Sequence, residues 1–205
     1  MQWSDDALVL AARRLGESQA IVSLLAAGHG RWQGVVPGGN SRGRRPLLQQ
    51  GTRVVATWRA RHAGQLGTVT CEAIAAVPAL ILADRLRLAA LTAAAALIDA
   101  LLPEREPNAP IYDASLALLA ALGRDDDWLA AYVRWETLFL AEIGFGHDDA
   151  GGSGSVGADE AIRLAATKTG LARNASRLED RAFAAAGGRM PFARAHFGRL
   201  VAELR

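Results

Sequence analysis

Arg42, Arg44 and Arg45 sit on a glycine-bearing connection between two β-branched runs, one closing at Val35 and Val36, the other opening at Arg53, Val54 and Val55. Guanidinium groups bind phosphates bidentately, so strand, cationic loop, strand is a device for touching polyanions. Gly38, Gly39 and Gly43 permit backbone angles that other residues avoid, which would let the loop move to meet its ligand. The stretch is not a nucleotide-phosphate loop of the Walker type, because no Gly-Lys-Ser/Thr opens a helix after it. The same residues equally fit a surface hairpin whose arginines are merely solvated. Two tryptophans lie next to arginines: Trp32 beside Arg31, and Trp58 beside Arg59. Rings beside guanidiniums grip single strands by base stacking. Against that, the alternation around Trp58 points its ring into a core, and Trp32 fits either role.

Little else in the chain offers chemistry. His29, His62, His147 and His196 are scattered, with no ligand-spaced cluster. Asp125, Asp126 and Asp127 could attract a divalent ion, but they stand where a helix start favours negative charge. His147, Asp148 and Asp149 read as a polar helix-exit loop. No Gly-x-Ser-x-Gly elbow and no dinucleotide fingerprint occur. Cys71 is the single cysteine and reads as an inward strand residue. The expectation is a protein without catalytic site, metal or cofactor.

The charge distribution supports a polyanion partner for one end. Residues 1–75 hold nine arginines against four carboxylates, a net of +5; 76–150 come to −7 and 151–205 to +4. Lys168 is the only lysine. With abundant alanine this suggests a GC-rich coding bias, so arginine placement carries more weight than arginine number. A lone cysteine suits a reducing cytoplasm, and the first residues show no leader-like pattern. The most apolar window, 86–102, is interrupted by Arg87 and Asp99 and is too short for a membrane span.

Periodicity places these residues on elements. Apolar runs at 7–14, 19–27 and 31–36 are separated by glycine turns. In 53–59, Val54, Ala56 and Trp58 face one way and Arg53, Thr57 and Arg59 the other. In 66–74, Thr68, Thr70 and Glu72 face outward while Val69, Cys71 and Ala73 face inward. Five short strands with one long loop predict a small closed barrel, of which the oligonucleotide-binding (OB) fold is the five-stranded form. After Pro78 the period becomes helical: Leu86, Ala90, Leu97 and Leu101 share a face. Pro103 stops that helix, 104–110 form an elbow, and a second helix starts near Asp113 and stops at Gly123. A third covers 128–143. A glycine-rich joint at 147–157 leads to three short helices at 159–169, 172–186 and 191–204. The predicted fold class is α+β: a five-stranded OB barrel at 1–76, then an all-α domain at 77–205.

Three segments in order resemble the RecO family of recombination mediators. The first runs from Ala-Leu-Val-Leu at 7–10 through Leu-Gly-Glu-Ser at 15–18 and His-Gly-Arg-Trp-Gln-Gly-Val-Val-Pro-Gly-Gly-Asn-Ser-Arg at 29–42 to Leu-Gln-Gln-Gly at 48–51. The second is Leu-Leu-Pro-Glu-Arg-Glu-Pro-Asn-Ala-Pro-Ile-Tyr-Asp at 101–113. The third is Val-Arg-Trp-Glu-Thr-Leu-Phe-Leu-Ala-Glu-Ile-Gly-Phe-Gly at 133–146. The resemblance implies a non-catalytic cytoplasmic, nucleoid-associated DNA repair protein. It implies binding of single- and double-stranded DNA, annealing of complementary strands, and work with RecR to load RecA onto strands coated by single-stranded-DNA-binding protein. Carried over, Arg31, Gly38, Gly39, Arg42, Arg44 and Arg45 belong to the DNA-facing strand and loop, and Tyr112 and Gly144 to Gly146 mark the helical domain. Some members accept the acidic, apolar tail of the single-strand binder there. Some also hold zinc on a cysteine cluster after the third segment; 148–157 contain no cysteine, so no zinc is expected. The alternative is a protein adaptor whose basic barrel docks an acidic protein.

Overall fold

The computed structural model describes residues 1–62, 64–124, 127–146 and 160–204. The expected joint at 147–157, His147, Asp125 and Asp126 lie outside the described residues. Five strands come first: β1 (Gln2–Leu15), β2 (Gln19–Ala26), β3 (Gly30–Val36), β4 (Arg53–Arg59) and β5 (Thr68–Ala75). The order is β1-β2-β3-β5-β4, and β4 returns to β1, so the sheet closes on itself. All pairings are antiparallel except β3 with β5, which meet in parallel at Val35 and Thr68. The strands are followed by α1 (Ala79–Ala83), α2 (Arg85–Leu101), α3 (Ala109–Leu122), α4 (Trp128–Leu140), α5 (Glu160–Arg177) and α6 (Phe192–Ala202). This is the expected α+β class, an OB-type barrel with helices after it.

The period of two explains the barrel. Ala7, Val9, Val22, Leu24, Val54, Ala56, Trp58 and Val69 fill its interior. The intervening Leu8, Leu10 and Leu25 point outward and join the core of the helical part. Strand β2 is therefore buried on both faces, because one faces the barrel and the other the helices. Burying each such leucine contributes about 1.5–3 kcal/mol, which holds the two parts against each other.

Some expectations shift. Strand β1 begins at Gln2, five residues before the apolar run, because Gln2 to Leu8 pair with Arg59 to Arg53. Ala73 is exposed rather than inward; the ladder with β4 shifts register beside it and β3 no longer flanks it. Helix α2 buries Ala90 and Leu97 as read, but also Leu91, Ala93, Ala94, Ala95 and Ile98, since it packs on both β1 and α6. Helix α3 starts at Ala109 rather than near Asp113. Asn108 is its cap, the side chain accepting from the Ile111 N–H at 2.9 Å, with Pro110 in the first turn. Gly170 does not end a helix: α5 runs through it, and a Cβ there would lie 2.8 Å from Val133 Cγ1. The glycine is a contact point between α5 and α4, not a stop signal. After α4 the chain widens into a π turn, Ala141–Phe145, where Gly144 takes φ of 88°.

A polar clamp centred on Asp6 ties barrel to helices. Tyr112 on α3 donates to Asp6 Oδ1 at 2.7 Å, and Arg53 Nε donates to both Asp6 oxygens at 2.9 Å. Burial works to raise the Asp6 carboxyl, but the bonds from Arg53 and Tyr112 outweigh it and hold the carboxyl below its ordinary 3.8. Burial and the Asp6 bond push the Tyr112 phenol above its ordinary 10.0. The Asp6 contribution to stability is thus full above about pH 4 and lost as pH falls through its depressed value, whereas the Tyr112 contribution is full below pH 10 and lost above it. Tyr112→Phe is expected to cost about 1.5–3 kcal/mol at neutral pH, the range for a hydrogen bond to a charged group, and to flatten both limbs of a pH–stability curve from urea unfolding. Equal curves for parent and variant would show that the clamp carries no stability.

Candidate nucleic-acid interface

The connection from β3 to β4 is not a bare flexible loop. Tight turns fold it, with Gly39 N–H donating to Val36 O at 3.1 Å and Ser41 N–H to Gly38 O at 3.0 Å. It then winds a short 3-10 helix, Arg45–Leu48, whose Leu48 is buried as a plug in the barrel end. Gly38 has φ of 68°, the left-handed conformation glycine permits. Gly39 serves close approach: a Cβ there would lie 2.8 Å from Ala20 Cβ. Gly43 has open space around it and a backbone any residue could adopt. The mobility expected from three glycines gives way to an internally bonded frame.

That frame is fixed to the β1–β2 turn. Asn40 Nδ2 donates to Gln19 O at 2.7 Å and Glu17 O at 3.3 Å, while Asn40 N–H donates to Ser18 O at 3.1 Å. Arg42, Arg44 and Arg45 stand exposed on the outer side. Arg44 Nη1 donates to Pro37 O at 2.7 Å, which holds its stem across the loop. Its charge reaches Cys71, where burial pushes the thiol up to about 11 against the opposing pull of Arg44. At that value Cys71 is not a nucleophile at neutral pH. Among the described residues, Arg42 and Arg45 have no carboxylate partner.

The other predicted site residues go elsewhere. Arg31 points into the helical part: Nε donates to Leu102 O at 2.8 Å, and Nη1 lies 3.3 Å from Glu104 Oε1 and 3.5 Å from Asp99 Oδ1. Its side chain is 13% exposed. The strand expected to face DNA turns this arginine toward the helices, and Asp99 also accepts from Ser23 of β2. Trp32 is held by its Nε1 on His29 O at 2.6 Å and packs edge-on to Trp58 and Trp3, with the Arg105 guanidinium 4.7 Å over its ring. Trp58 is barrel core, 1% exposed. Arg59 is exposed, but at the far end of β4 from the loop, about 20 Å of strand away. So the structure gathers Gly38, Gly39, Arg42, Arg44 and Arg45 on one rim and separates Arg31, Trp32 and Arg59 from them.

Two further arginines, Arg13 and Arg14, which the sequence did not single out, stand near this rim. Both are exposed near the end of β1, on the hairpin that Asn40 ties to the loop. A shallow groove of about 150 Å³ between hairpin and loop is lined by Arg13, Arg14, Asn40 and Arg45. An arginine pair directly before a glycine turn was the available signal. Among the described residues no three His, Cys, Asp or Glu side chains converge to hold a metal ion, and no helix is long and apolar enough to cross a membrane.

Comparison with known proteins bears on this arrangement. Residues 1–77 match the family model described as Recombination protein O N terminal, and 82–149 the one described as Recombination protein O C terminal. Similar curated proteins are the DNA repair protein RecO of Rhodospirillum centenum, 53% identical over 148 residues, and of Rhodospirillum rubrum, 51% over 153. That of Phenylobacterium zucineum is 48% identical over 148. Each match covers 72% of this chain, and 59%, 61% and 61% of those relatives respectively, so the chain spans less than two thirds of their length. Both halves of one family's pattern, matched in order over strands and then helices, establish that this chain belongs to the RecO family.

Proposed function

We propose that this chain is a non-catalytic DNA-binding mediator of recombination in DNA repair, acting in the cytoplasm on the nucleoid. It binds single- and double-stranded DNA and anneals complementary strands. With RecR it helps load RecA onto strands coated by single-stranded-DNA-binding protein, whose tail it contacts through the helical domain at 77–205. The barrel domain at 1–76 supplies the DNA contact. The observation that carries this reading is the exposed Arg42, Arg44 and Arg45 on a folded loop, two of them without a carboxylate among the described residues. Charge held ready in fixed positions releases phosphate counterions on binding without a large ordering cost. The family membership and the relatives' names point the same way.

A salt titration tests it. Single-strand affinity should fall steeply between about 50 and 200 mM salt, and Arg42, Arg44 and Arg45 changed together to Ala should flatten the log–log slope by about 2, at roughly 0.7 per phosphate contact. A triple variant with the parent's affinity and slope would remove the loop from the interface. Strand annealing that needs no nucleotide, on a strand precoated by the single-strand binder, would support the mediator role; none would leave only a DNA-binding barrel.

A further inference from the structure

The loop alone is half of a concave feature. The other half is the β1–β2 hairpin, whose residues from Ala12 to Gln19 are all exposed, so it projects past the barrel. Its two arginines and Arg45 line one groove, which Leu48 floors and Asn40 bounds. The groove is small, about 150 Å³, and open to solvent. Arg14 pairs with Ala20 and so presents its guanidinium on the groove side, opposite Arg45, while Arg13 pairs with Ile21 on the other face of the hairpin. Among the described residues Arg14 and Arg45 have no carboxylate partner. Like charges gathered without counter-charge cost stability, and that cost is recovered when an anion enters. The two walls cannot drift apart freely. Three hydrogen bonds from Asn40 to the hairpin turn lock them, and Gly39 brings the loop backbone against Ala20.

We infer that this groove is a phosphate clamp, in which Arg14 of the hairpin and Arg45 of the loop hold a backbone phosphate of a DNA strand passing over the barrel rim. The assignment rests on the DNA-binding reading above and deepens it. The hairpin becomes a second, independent contributor to the interface, and the strand crosses the rim between hairpin and loop. It leaves aside the outer faces of β2 and β3, where helices and the Arg31 bonds occupy the surface. The pocket has room for a phosphate and the adjoining sugar oxygens but no aromatic wall for a base, so the contact is indifferent to sequence.

The variant Arg14→Ala tests this, since the side chain is exposed. With a fluorescent single-stranded oligonucleotide, the log–log salt slope should become shallower by about 0.7, one phosphate contact, and the loss of affinity between about 50 and 200 mM salt should shrink by roughly 2.5-fold. Inorganic phosphate should compete with the parent for the oligonucleotide more strongly than with Arg14→Ala. If the hairpin variant keeps the parent's slope while the Arg42, Arg44 and Arg45 triple variant flattens it, the clamp is wrong and the loop reading stands. If the parent shows no salt-dependent binding, both fall. Effective competition by free phosphate at micromolar concentration would overturn the assignment to a DNA strand in favour of a small-anion site.

Discussion

Arg194→Leu should lower stability by about 3–5 kcal/mol, or around 10 °C in Tm for a chain of this size. Arg194 of α6 and Glu136 of α4 are 1% and 0% exposed. The guanidinium bonds both carboxylate oxygens, Nε to Oε1 and Nη2 to Oε2 at 3.0 Å, and Nη2 also donates to Leu171 O at 3.2 Å. Tyr132 adds a bond to Glu136 Oε1 at 3.1 Å, and burial together with the Glu136 charge holds its phenol well above 10.0. Removing the arginine leaves a buried carboxylate with one neutral donor. Changing Glu136→Leu as well should recover most of the loss, because a buried pair contributes little net stability against a well-packed apolar replacement. A single variant that melts within about 2 °C of the parent would show that α6 is not anchored by this pair. Glu136 lies within the family-matched stretch and Arg194 beyond it, so the result also reports whether 160–204 completes the core that 82–149 begins.

Gly30→Ala should be almost as costly, by a different route. Gly30 takes φ of 71° at the start of β3, and a Cβ there would lie 1.9 Å from Glu106 O and 2.5 Å from Glu106 C. Backbone cannot swing aside like a side chain tip. The elbow at 104–107 must move, and with it the Arg105 N–H bond to Arg31 O at 2.8 Å and the Arg31 bond to Leu102 O. Left-handed strain adds about 1 kcal/mol, and overpacking a further 1–3 kcal/mol. Urea unfolding should change shape too. The parent's barrel and helices share one core through Leu8, Leu10 and Leu25 and should unfold together, whereas the variant should show a broadened or two-step transition. A single sharp transition at the parent's midpoint would mean that the elbow yields without cost.

These residues mark where local pattern suffices and where it does not. The barrel was legible because alternation is a one-dimensional signal: Val54, Ala56 and Trp58 had to share a face whatever else the chain did. The exposed arginine loop was legible for the same reason, since turn residues between strands lie on the surface. Segments that carry a family's pattern fixed the OB class and the helices after it. Four matters were settled only by packing. Arg31 read as ligand-facing and Trp32 as fitting either role, yet Leu102, 71 residues on, claimed Arg31, and Arg105 settled on Trp32. Gly170 read as a helix stop because its role is set by Val133 across the bundle. Asn108 overrode Asp113 as a cap because Pro110 could occupy the first turn after it. Arg13 and Arg14 came to line a groove with Arg45 only because Asn40 ties the hairpin to the loop. Local periodicity and turn chemistry act over a few residues and can be read along the chain. Which charge meets which depends on long-range contacts whose energies are comparable to local preferences, and only the closed three-dimensional arrangement decides between them.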